Sequence, residues 1–545
     1  LWLTACVSSH RAAAPHPSTN AKPSEEPPWP AEKLAAAHAH YGAGVIHDMN
    51  GESEAALKEY REAVVNDPSD EALVLEVSRR YVQAKDFEKA LEVLNLAAAR
   101  PNASGAIFAR LGIIYSQAGK PDQAIIANRT AIKKSPAVLA GYQNLYLAYL
   151  QKKQPLEALK VLDEAAGAPR SGADFLLSLS ELYINFALQA SEQKPAAHAK
   201  ARALLDRAEK LNPSSPSQKL QLAEGFNALG DYEKAAQLYL DLLKKLPDVP
   251  LIRERVHARL TDIYLRGEDR KRAAEQLHAI VRDDPTNPQA YYWLGNIALE
   301  DKKPQEALDY FNRCLLLNQD FEQAYYDLAM TQINLNKPGE ALGTLEKARK
   351  KFSTNFMVEF WTAMAFVKQE AYKEAIRHFT EAEVIARANE PKRINELFFF
   401  QFGAACERSG DYTQAEKYFQ KCIEAAPNFA DALNYLGYMW AERGLKLEQA
   451  RELIEKAVKI EPKNSAYLDS LAWVLYKLNQ PKEALNHILK AAELSEEPDA
   501  TIYEHLGDIY AALKETEKAR EAWRKSLSLK PSDPVRAKLG VDSAK

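Results

Sequence analysis

Along this chain small, large and polar positions recur on a beat of 34 residues, set by alanine. Ala56, Ala90, Ala124 and Ala158 are followed by Ala201 and Ala235, then by Ala273, Ala307, Ala341 and Ala375, and last by Ala415, Ala450, Ala484 and Ala519. Eight of the thirteen steps are 34 residues and the rest are 35, 38, 40 or 43, the spread that loop insertions produce. Such a period predicts a unit of two helices joined by a turn, repeated, with each hairpin burying its apolar face only against its neighbours.

The spacing within a unit supports this. Seven residues after the anchor, on the same helix face, a second small residue recurs as Ala63, Ala97, Ala131, Ala165, Ala208, Ala348, Ala382, Ala457 and Ala491, with Cys314 and Cys422 in the same slot. Between the two stands a large residue, as in Tyr60, Tyr239, Phe311, Phe379, Phe419 and Trp523. Two small positions let helix axes approach, and the large one fills the gap between hairpins. Nine residues before the anchor an aromatic marks the preceding helix, as in Tyr81, Tyr115, Tyr149, Phe226, Tyr264, Phe366 and Tyr510, with Cys406 once, and Tyr183 stands in the corresponding place eighteen residues before Ala201, across the insertion. A Leu-Gly pair precedes it in Leu111-Gly112, Leu294-Gly295, Leu436-Gly437 and Leu506-Gly507, where glycine permits close crossing despite its cost in a helix. Prolines such as Pro68, Pro136, Pro285 and Pro462 close units, since proline ends one helix and starts the next.

This pattern resembles the tetratricopeptide repeat, over roughly residues 37 to 533. The resemblance implies an all-α fold, a right-handed superhelical α-solenoid of about 14 helical hairpins. Three insertions interrupt the count. Gln189 to Ala199 is expected to lengthen a turn, while Asp248 to Arg253 and Asn389 to Asn395 are expected hinges. They divide the array into 31–250, 251–390 and 391–533, with residues 1–30 ahead and a tail at 534–545.

Residues Leu3, Thr4, Ala5 and Cys6 resemble the lipobox of bacterial lipoproteins, which implies lipidation at Cys6. Residues 7 to 30 hold six prolines and read as a flexible tether. The basic start and full apolar core of a signal peptide are not visible, so the chain is expected to start inside one. Val7 after the cysteine implies, by the same resemblance, the outer membrane, facing the periplasm.

Composition removes several functions. With 71 basic and 75 acidic residues the net charge is -4, which gives no electrostatic reason for a nucleic-acid partner. The four cysteines show no CxxC spacing, and no run of eighteen apolar residues exists. No HExxH, GxSxG or GxGxxG occurs, and the stretch from Gly112 to Pro121 has the wrong spacing for a phosphate loop. His38, His40 and His47 are the closest histidines, but an i, i+2 pair points to different helix faces. No catalytic residue, metal, cofactor or small-molecule substrate is expected.

The first helices of stacked hairpins line a groove, the usual binding surface of such arrays. In the family register, the position two before the leucine of the Leu-Gly pair is Tyr292, Tyr326, Phe360 and Phe400 in four successive units, an expected ladder of aromatic anchors. Tyr438, Trp473 and Tyr476 extend it. The same side chains also suit packing against a neighbouring hairpin. A second candidate is Arg255, Arg259 and Arg266, able to fork onto carboxylates. Arg255 and Arg259 resemble half of the clamp by which some family members grip chaperone tails, but the lysine and asparagine expected in earlier units are absent. The unit from Glu254 to Asn287 carries seven acidic and seven basic residues, which favours pairing within the solenoid.

The segment LNYLGYMWAERGLKLEQARELIEKAVKIEPKNSAYLDSLAWVLYKLNQPKEAL from Leu433 to Leu485, followed by EHLGDIYAAL from Glu504 to Leu513, is similar to the carboxyl-terminal repeats of bacterial envelope lipoproteins of this family. Some of these bring substrates to a carboxyl-terminal processing protease. The resemblance implies a lipid-anchored scaffold or adaptor that holds a protein partner, a protease or its substrate. The alternative is an assembly factor for an envelope export or outer-membrane biogenesis machine.

Overall fold

In the computed structural model, residues 30–169, 172–245, 250–353 and 355–540 are described. Cys6 and the proline-rich tether lie outside them. The described residues form 29 α-helices and two short 3₁₀ turns, and no strand. The described residues divide into two compact units, one ahead of residue 250 and one from residue 250 onward.

The alanine register explains the packing within each unit. All fourteen anchoring alanines are fully buried, at 0% exposure. The small residues seven positions later are buried too, Cys314 and Cys422 included, and Ser526 takes this slot in the last hairpin. The large residues between them fill the seam: Tyr239, Phe311, Phe379 and Phe419 have no accessible surface. Gly295 shows why the facing helix needs glycine, because a Cβ there would stand 2.5 Å from Cε1 of Phe311.

The first unit runs from the Ala31–Met49 helix to the Tyr232–Lys245 helix, six hairpins around their anchors. The insertion at Gln189 to Ala199 does not lengthen a turn. It extends the helices, Ala173–Gln189 and Lys194–Lys210, each of 17 residues, joined by a 3₁₀ turn at Ser191–Gln193. Ala-rich sequence after Pro195 propagates helix more readily than it forms a loop.

The second unit holds eight hairpins, from the Pro250–Arg266 helix to the Thr516–Leu529 helix. At Asn389 to Asn395 the preceding helix lengthens to 18 residues, Tyr372–Asn389, and a 3₁₀ turn follows at Pro391–Arg393. The apolar core continues across it, with Phe379 on Phe398 at 5.9 Å and on Phe402 at 5.3 Å between ring centroids. The expected tail also begins as structure. The Asp533–Lys538 helix buries Val535, and Lys538 pairs with Glu504 at 3.0 Å and Asp508 at 2.7 Å. No helix among the described residues is long and apolar enough to cross a membrane.

Candidate partner-binding face

In the second unit the first helices of neighbouring hairpins, Pro250–Arg266 and Pro288–Glu300, stand on either side of a cleft of about 980 Å³. Its apolar lining comes from Ala258 and Leu265 on one helix, Trp293 on the other, and Leu277 and Ile280 of the Arg270–Asp283 helix between them. Trp293 is 40% exposed, a large aromatic on an open wall. The rim is charged and paired. Arg266 Nε donates to Asp262 Oδ2 at 2.9 Å, and Arg270 reaches Glu300 at 3.3 Å and Asp301 at 3.5 Å. Apolar floor and polar rim together are the anatomy of a peptide or protein contact.

The expected aromatic ladder is built differently. Tyr326 is only 3% exposed, and its hydroxyl donates to Glu322 Oε1 at 2.6 Å while accepting from Asn355 Nδ2 at 2.7 Å. Tyr292 lies between hairpins, its ring tilted against that of Phe321 at 4.7 Å, with its hydroxyl donated to Asp327 Oδ2 at 2.9 Å. Burial raises the Tyr292 phenol, the Asp327 charge adds to this, and burial raises the Asp327 carboxyl in turn. Phe360 is half-buried among Phe356, Phe379 and Phe398, and Phe400 among Phe419, Phe429 and Tyr435. These four side chains share a register and pack between successive hairpins, Tyr326 fully and Tyr292, Phe360 and Phe400 in part. Trp473, expected to extend the strip, is also buried. It stacks on His505 at 3.9 Å and Tyr476 at 5.1 Å, and its Nε1 donates to Glu442 Oε2 at 2.6 Å.

Of the three arginines, Arg266 lines the cleft, whereas Arg255 and Arg259 are exposed on the same helix and do not line it. Trp293, the largest exposed side chain of the cleft, went unread in the sequence. Its signal is adjacency: one residue past Tyr292 turns by about 100° onto another helix face.

Tyr438 lines a second cleft, of about 450 Å³, between the first helices Glu396–Ser409, Ala430–Glu442 and Ser465–Lys477. Glu407, Asn434 and Asp469 line it too, and Asp469 accepts from the buried His505 Nδ1 at 2.8 Å.

A titratable cluster around Glu359 is buried apart from these clefts. Glu359 has no accessible surface; its Oε2 lies 2.5 Å from His378 Nδ1, and its Oε1 accepts from Arg349 at 2.9 Å. Burial pushes the Glu359 carboxyl up, but the hydrogen bonds of His378 and Arg349 outweigh it and hold the group below the usual range. Glu359, His378 and Glu381 offer ligand atoms within 4.8 Å of one another. Arg349 supplies a cation to Glu359, and Arg377 lies 3.1 Å from the other nitrogen of His378. The cluster thus reads as a charge-balanced network that locks two hairpins, since buried charge persists where it is paired.

Profiles described as "Tetratricopeptide repeat" match residues 31–71, 188–250, 259–320 and 326–391, and a second of the same description matches 405–537. Among known proteins, the chain is similar to the TPR repeat-containing protein PA4667 of Pseudomonas aeruginosa, at 30% identity over 221 residues, 40% of this chain and 36% of that protein. It is also similar to the Type IV pilus assembly protein PilF of the same organism, at 26% over 137 residues, 25% of this chain and 54% of that one. The chain therefore spans between about a third and about half of the length of these curated relatives. Among solved structures, the APC/C hetero-tetramer Cut9-Hcn1 aligns with a TM-score of 0.41 at 15% identity, over 86% of this chain and 96% of that one. The profile matches and the fourteen buried alanines agree that the chain belongs to the tetratricopeptide-repeat family.

Proposed function

We propose that this protein is a non-catalytic scaffold that holds a partner polypeptide against the first-helix face of its second unit. Proteins of the family generally mediate protein–protein contacts. The observation that carries the reading is the cleft walled by Leu265 and Trp293, where an apolar side chain of a partner would exclude water from a 40%-exposed indole. Affinity purification with wild-type chain and with Trp293→Ala tests it. The variant is expected to lose the wild-type partner by at least tenfold while keeping its helical content. Equal recovery by both would reject the cleft as the site.

The same reading places the scaffold in the bacterial envelope, anchored by a lipid on Cys6, with a periplasmic protease or its substrate as the partner. The lipobox-like Leu3 to Cys6 and the carboxyl-terminal resemblance support this. Detergent partitioning of the full-length protein, lost on Cys6→Ser, is the expected result; an aqueous wild-type protein would remove the anchor. A role in assembling an envelope machine is favoured by the similarity to a pilus assembly protein. A partner that is a component of such a machine rather than a protease would select it.

A further inference from the structure

From the second cleft, we infer that this face carries a built site for a basic side chain, an arginine or lysine of the bound partner. The inference rests on the scaffold reading and adds the chemistry of one contact. Asn434 is the leading observation. Its residue is 7% exposed and lines the cleft, yet its Oδ1 has no donor among the described residues. That oxygen is closed to solvent, and a buried amide oxygen left without a donor costs about 1–3 kcal/mol, so a ligand N–H recovers that cost once the Asn434 amide turns toward the cleft.

The surrounding charges fix what kind of donor. Glu407, Asp469 and Asp499 line the same cleft, against one cation, Arg408, which is exposed and approaches Glu407 only at 3.5 Å. Asp469 uses Oδ1 for His505, leaving Oδ2 without a donor among the described residues. Asp499 is committed to its own helix, accepting from the backbone of Thr501 at 2.7 Å. Tyr438 presents an aromatic ring on the same wall; burial raises its phenol, and the charges of Glu442, Asp469, Glu407 and Glu504 add to this. Acceptors, carboxylates and a π face converge, which suits a guanidinium or ammonium group and repels an acidic one. Burial raises the Glu407 carboxyl, as expected of a carboxylate that lacks a full counter-charge.

The register explains why the site lies here. The position occupied by Tyr292, Tyr326, Phe360 and Phe400 in four units becomes Asn434, Asp469 and Glu504 in the next three. The face thus changes from aromatic packing to hydrogen-bond acceptors along its length.

The test is an NMR titration of the full chain with three probes, Ac-Ala-Ala-Xaa-Ala-Ala-NH₂ with arginine, citrulline or glutamate at Xaa. Citrulline keeps the shape of arginine and loses its charge. The arginine peptide is expected to bind at least tenfold more tightly than citrulline, to shift the Met439 methyl signal, and to weaken at least fivefold in both Asn434→Leu and Glu407→Gln. Equal binding of arginine and citrulline, tighter binding of glutamate, or an arginine affinity unchanged in Glu407→Gln would overturn the assignment. Helical content and melting of both variants separate lost binding from lost fold. These probes do not involve Trp293, so a failed titration beside successful Trp293-dependent capture rejects the cation site alone.

Discussion

The side-chain amide of Asn128 lies directly against Gly112, so close that a Cβ on the glycine would stand 2.0 Å from Asn128 Oδ1. Asn128 is fully buried, and neither its Oδ1 nor its Nδ2 has a hydrogen-bond partner among the described residues. Equivalent positions, four after the anchor, hold Leu94, Leu162, Leu205, Leu277, Leu345 and other large apolar residues in every other repeat. Asn128→Leu replaces the unsatisfied amide by an apolar group of similar shape and is expected to stabilise the first unit by about 1–3 kcal/mol. Thermal denaturation followed by circular dichroism checks it; a lowered midpoint would mean that the amide has a role that its neighbours do not explain.

Gly507 tests the opposite error, overpacking. A Cβ there would lie 2.3 Å from Cδ1 of Trp523. Gly507→Ala is expected to destabilise the second unit by about 1–3 kcal/mol, because the indole must leave its seat. Urea titration reads the loss, and an unchanged midpoint would show that the last hairpin opens at little cost.

Glu359 links stability to pH. Its folded carboxyl is held below the unfolded value by His378 and Arg349, against burial, so the stabilisation is present above the unfolded value and lost as pH falls through the folded one. Wild-type chain is therefore expected to lose stability on acidification more steeply than Glu359→Gln. At neutral pH the same substitution leaves Arg349 and His378 facing a neutral group and costs about 3–5 kcal/mol, the scale for breaking a buried pair. Parallel pH-dependent slopes in the two proteins would contradict the network.

The cysteines in the repeat slots are expected to be inert. Cys314, Cys406 and Cys422 are fully buried, and burial pushes each thiol up to about 12. Iodoacetamide at pH 8 is expected to leave all three unmodified in the folded protein and to modify all three in denaturant, as read by peptide mass spectrometry. Fast labelling of the native chain would place these thiols at a surface.

Small residues were the most legible part of the sequence. An alanine where two helices cross is demanded by geometry alone, so its period carried the fold, the hairpin count and the seam residues Phe311 and Phe379. Large aromatics were ambiguous, because one side chain suits both a groove and a seam. Tyr326 shows how the seam wins: Glu322 and Asn355 satisfy its hydroxyl, so nothing is lost by burying the ring. The cleft beside Trp293 depends on how far apart two first helices stand, a distance that local periodicity does not encode. Asn434 was within reach, since extending the register of Tyr292 by four further units arrives at it.

The scaffold reading is tested most directly by photo-crosslinking in cells. A photoreactive residue replaces Trp293 in the cleft wall or, as control, Leu316, which is 69% exposed on the second helix of the same hairpin. The account predicts one dominant covalent partner from position 293, absent from position 316. No adduct at 293, or the same mixture from both positions, would contradict it.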